Sequence, residues 1–66
     1  MEKISLSLQP SEMAVVRAAA TIYAAYVTAG KVADGREQEW MGRAVREAIW
    51  IARTADDAIR SDTEMD

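Results

Sequence analysis

A chain of 66 residues with neither cysteine nor histidine has little but its apolar side chains to fold with. No disulfide can restrict its unfolded ensemble, and no zinc site of the usual thiolate and imidazole type can form. Ordering such a chain costs on the order of 100 kcal/mol, at roughly 1.5 kcal/mol per residue, so nearly every apolar group must find cover. Half of the residues are apolar, but many of these are alanines, which add helix propensity more than core volume. The larger ones include Ile4, Leu6, Leu8, Val15, Ile22, Tyr26, Trp40, Met41, Val45, Ile49, Trp50, Ile51 and Ile59. That is a thin core for a monomer. Residues 1–66 are therefore expected to form a single domain that self-associates, with a two-fold dimer the commonest solution.

Three elements are expected along the chain. From Lys3 to Gln9 the residues alternate, with Ile4, Leu6 and Leu8 on one side and Lys3, Ser5, Ser7 and Gln9 on the other. Period two is the signature of a half-buried strand, and Pro10 closes it because proline cannot donate to a ladder. Ser11 suits the N-cap of a first helix running from about Glu12 to Ala29, where Gly30 can take the left-handed stop conformation. Its main apolar stripe is Val15, Ala19, Ile22, Tyr23 and Tyr26, widened by Val16 and Val27. A helix apolar over so much of its circumference needs cover from more than one side.

Asp34, Gly35, Arg36 and Glu37 fit an aspartate capping box at the head of a second helix, expected from about Gly35 to Arg60. Met41, Val45, Ala48, Ala52, Ala55 and Ile59 recur at alternating spacings of four and three, a heptad-like stripe that Trp40, Ala44, Ile49 and Ile51 widen. Its alanines favour a close helix pair. Gly42, inside this helix, predicts close backbone contact. Glu39 with Arg43 and Asp56 with Arg60 have the favourable order for ion pairs one turn apart. Asp62, Glu64 and Asp66 oppose the helix dipole, which predicts a frayed acidic tail after Arg60. The expected fold is mainly α: a short N-terminal β-strand, then an antiparallel two-helix hairpin, completed as a homodimeric four-helix arrangement. Val15, Ile22, Tyr26 and the Met41 to Ile59 stripe form its core or dimer interface.

The formal charge of −3 is uneven, +1 over residues 1–33 and −4 over residues 34–66. This balance repels nucleic acid and anionic lipid unless a local patch overrides it. The longest uncharged run, Ala18 to Gly30, is too short and too polar to span a bilayer. With no secretory pattern at the N-terminus, a cytoplasmic setting is the default expectation. No nucleophile elbow, phosphate loop or metal-ligand spacing is present, so neither an enzyme nor a cofactor is expected. Adjacent Asp56 and Asp57 point apart on a helix and make no paired acid site.

Trp50 is the outlier. It falls on the polar face of the second helix with Arg46 one turn before and Arg53 one turn after, residue types enriched at binding hot spots. The favoured reading nonetheless gives Trp50 a packing role, in the fold or in self-association, with a different partner as the alternative. The leading functional expectation is thus a non-enzymatic, self-associating interaction or regulatory module, with another protein as a possible partner through Arg46, Trp50 and Arg53. A subunit or small-ligand binder with an inter-subunit pocket is an alternative. The order strand, helix, helix also resembles that of ribbon-helix-helix repressors, without a shared motif. That resemblance implies an antiparallel ribbon, one strand per subunit, with Lys3, Ser5, Ser7 and Gln9 turned toward DNA. The chain departs from that plan in its longer first helix, its single basic ribbon residue and the acids Asp34, Glu37 and Glu39 opening its second helix.

Overall fold

The computed structural model describes residues 9–64, with side chains to residue 61. Two helices make up the described chain, α1 (Pro10–Thr28) and α2 (Glu37–Glu64). The expected strand from Lys3 lies outside the described residues except for Gln9, and with it lie Ile4, Leu6, Leu8, Ser5 and Ser7.

The first helix starts earlier than the expected Ser11 cap. Gln9 is the extended residue, and its carbonyl accepts the first helical bond from the Met13 amide at 2.9 Å. Pro10 then occupies the first helical position, where its fixed φ suits the helix and its missing N–H removes a donor that the helix would leave unbonded. Glu12 returns to accept from the Gln9 amide at 2.9 Å, so the acid stabilises a cap at Gln9.

The helix stops at its expected glycine. Gly30 takes φ +75°, the Lys31 amide reaches back to the Tyr26 carbonyl at 3.0 Å, and the Gly30 amide to that of Val27 at 3.0 Å. These two bonds are the Schellman closure, which satisfies carbonyls a helix end otherwise leaves free.

The head of α2 corrects the expected Asp34 cap. Asp34 and Gly35 form a turn with Gly35 at φ +87°, which separates Asp34 from the helix. The Arg36 carbonyl instead accepts from the Trp40 amide at 3.3 Å, and the Arg36 guanidinium grips Glu39 at 3.0 Å. Glu39 is thereby drawn to Arg36, and its expected pairing with Arg43 is replaced: Arg43 lies 3.5 Å from Glu47. The Asp56–Arg60 pair forms at 3.2 Å, and α2 continues past Arg60 to Glu64.

The helices pack antiparallel as a hairpin. Its buried centre is Ala19 of α1 against Ala44 and Ala48 of α2, each of the latter 1% exposed. Val15, Ala18, Ile22, Tyr23 and Tyr26 pack around it, partly buried. Alanine at the crossing lets the backbones approach, but it buries little area. No large side chain is fully buried among the described residues. α2 also outruns its partner: 28 residues against 19 correspond to about 42 Å against about 28 Å. Every described side chain from Ile49 to Ser61 is exposed.

Candidate functional site

Tyr26, Trp40, Arg43 and Glu47 close the loop end of the hairpin. The Tyr26 ring meets that of Trp40 edge to face, with centroids 5.0 Å apart and planes at 62°. The Arg43 guanidinium lies over both rings, 5.7 Å from the first centroid and 5.3 Å from the second. The Tyr26 hydroxyl donates to Glu47, the acid that also pairs with Arg43. Its pKa is raised above the ordinary 10.0, first by that hydrogen bond, then by burial and the Glu47 charge, with Arg43 opposing. Four side chains thus satisfy one another, in a cluster that positions the helices.

Sequence periodicity placed Tyr26 in the core but did not foresee this cluster, because Glu47 falls at the border of the polar face. Arg43 and Glu47 were legible only as an i,i+4 pair with the base first, the less favourable order.

The expected α2 stripe is divided by the structure. Ala48 faces α1 and is buried, and Ala44, which the stripe admitted only as an extension, is buried equally. Met41 remains 46% exposed, Val45 43% and Ile59 64%, while Ala52 and Ala55 are exposed as well. On α1, Val15, Ile22 and Tyr26 pack against the alanine centre, whereas Met13, Val16 and Val27 are exposed.

Residues advance by about 100° around a helix, which puts Met13, Val16, Ala20 and Val27 on one flank of α1 and Met41, Val45 and Ala52 on one flank of α2. Both helices are right-handed and they run in opposite directions, so these two flanks open on the same side of the hairpin. Together they form an apolar face.

Trp50 belongs elsewhere. It is 72% exposed and shares a shallow surface depression with Arg43, Arg46, Glu47, Ile49 and Arg53. The same wheel places Trp50, Arg46 and Arg53 on the outer and opposite side of α2, away from the apolar face. Arg46 folds back over Gly42, with its Nη1 3.4 Å from where a Cβ would stand. Gly42 therefore accommodates a guanidinium, and among the described residues the close backbone neighbour expected there is absent within 4 Å.

Among the described residues no three acids gather where they could hold a metal ion, and no helix is long and apolar enough to cross a membrane. No family model, curated protein or solved structure matches the chain.

Proposed function

We propose that this chain is a non-enzymatic interaction module that works as a homodimer, two hairpins joining their apolar faces into a four-helix bundle with the Trp50 surface left outward. The observation that carries this reading is the contrast between the buried centre, Ala19, Ala44 and Ala48, and the exposed Met13, Val16, Val27, Met41 and Val45 on one side of the hairpin. A hairpin whose buried residues are alanines gains little from burial, and the larger apolar groups contribute only when covered.

Two copies related by a two-fold axis would present Met41 and Val45 to the same residues of the partner and complete a core of four helices.

Sedimentation equilibrium at micromolar concentration tests the proposal. The expected species has twice the chain mass of 7.3 kDa. A folded, helical monomer under those conditions would overturn it.

A further inference from the structure

We propose that the Trp50 surface is a docking site for a short acidic peptide segment, one with two carboxylates about 10 Å apart and an apolar side chain between them. This rests on the reading that self-association uses the opposite side of the hairpin and leaves Trp50 outward.

The charges of the patch point to this partner. The chain as a whole is acidic, at −3, yet three arginines, Arg43, Arg46 and Arg53, surround Trp50 with Glu47 as the one acid among the lining residues. Glu47 is already engaged by Arg43 and Tyr26. Arg46 and Arg53 have no ion pair among the described residues, and they stand one turn to either side of Trp50. Arg46 and Arg53 line the same depression as the exposed indole, and a guanidinium that swings toward it can grip a carboxylate bidentately beside an apolar platform.

Spacing defines the ligand further. The backbone positions of Arg46 and Arg53 are separated by about 10 Å of helix rise, a span that two flexible glutamate side chains three residues apart in a short peptide can bridge. The same side of α2 carries Glu39 before the patch and Asp57 after it. Asp57 bounds the positive stretch at one end and the Arg36–Glu39 pair adds no net positive charge at the other, so a long polyanion such as a nucleic acid strand finds no continuous positive track. A segment bearing two carboxylates fits within that stretch.

The test uses fluorescence anisotropy with the full chain and a labelled Ser-Glu-Ala-Leu-Glu-Ser peptide, its glutamine counterpart, its lysine counterpart and an oligothymidine strand, at low and high salt. The acidic peptide is expected to bind about tenfold more tightly than the glutamine peptide, to weaken with salt and to lose its binding in Trp50→Ala. Arg46→Glu combined with Arg53→Glu should exchange the preference, favouring the lysine peptide. Equal binding of the acidic and glutamine peptides, tighter binding of the oligothymidine, or undiminished binding by a Trp50→Ala protein of native helicity would each overturn the proposal. Sedimentation of the doubly substituted protein separates the two readings. Loss of the dimer there would assign the patch to a second copy and overturn the peptide proposal. A monomeric wild type that still binds the acidic peptide would overturn the dimer alone, since the patch lies within one helix.

Discussion

The Tyr26 hydroxyl of α1 donates a hydrogen bond to the Glu47 carboxylate of α2, across 21 residues of sequence. Among the described residues it is the side-chain hydrogen bond that joins the two helices, whose buried centre is made of alanines, and Arg43 pairs with the same carboxylate. Replacing Tyr26 with phenylalanine keeps the ring against Trp40 but removes the donor. A melting temperature lower by a few degrees is expected at equal protein concentration, with helicity retained at low temperature. Thermal denaturation followed by circular dichroism would show it.

The same bond predicts a dependence on pH. Because the folded state holds the Tyr26 pKa above 10.0, it favours the neutral hydroxyl more than the unfolded chain does. The resulting stabilisation is complete below the ordinary tyrosine value and is lost as pH rises through the higher folded-state value. Subtracting the melting curves of Tyr26→Phe from those of the wild type isolates this group from the other bases and phenols. The difference should hold constant through neutral pH and shrink above about pH 10. A difference that grows with alkalinity would reverse the assigned sign.

Close approach of the helices depends on Ala44 and Ala48, both 1% exposed. Leucine at either position adds methylenes where the α1 backbone already stands near, so the hairpin must open or the side chain must leave its preferred rotamer. Destabilisation of about 1–3 kcal/mol is expected for Ala44→Leu and for Ala48→Leu, read from urea denaturation. Ala55→Leu, on the exposed overhang of α2, serves as the comparison and should cost far less.

Periodicity made much of this hairpin legible and left specific parts hidden. Gly30 announced the end of α1 because few other residues take φ +75° without strain. Pro10 was legible as a stop for the segment before it but not as the first residue of α1, a position that moves the cap from Ser11 to Gln9. The Asp34 box failed for a comparable reason: Gly35 spends its freedom on a left-handed turn, and the helix begins beyond it. A wheel drawn for α2 alone identified an apolar side but not the direction of α1. It consequently set Met41 and Val45 in the stripe beside Ala48 and left Ala44 on its flank, while the structure buries Ala44 with Ala48 and leaves Met41 and Val45 exposed. Trp50 was placed by the wheel on the polar side, and there the structure has it exposed.

Val45 discriminates between folding of one hairpin and joining of two. It stands on the exposed apolar flank of α2, 43% exposed, beside the buried Ala44 and Ala48 but turned from α1. Val45→Glu would carry a charge into the proposed interface without entering the contact between helices of one chain. The dimer dissociation constant should rise at least tenfold, about 1.4 kcal/mol or more, in sedimentation experiments. Helical content at high protein concentration should persist. A dimer of undiminished affinity would place the interface on another face.

Two glycine substitutions should act in opposite directions. Gly30→Ala introduces a Cβ at φ +75°, where nothing among the described residues lies within 4 Å but the backbone conformation itself is strained for an L-residue. A cost of about 1–2 kcal/mol follows from that conformation alone. Gly42 lies inside α2 with no positive φ, and the atom nearest a new Cβ, at 3.4 Å, is the end of the flexible Arg46 side chain. Alanine there gains helix propensity and restricts the unfolded chain, so Gly42→Ala should stabilise by about 0.5–1 kcal/mol. Paired urea titrations at one protein concentration measure both changes. Destabilisation by Gly42→Ala would mean that another segment approaches α2 at that point, since among the described residues the atom met there belongs to a guanidinium that can swing away.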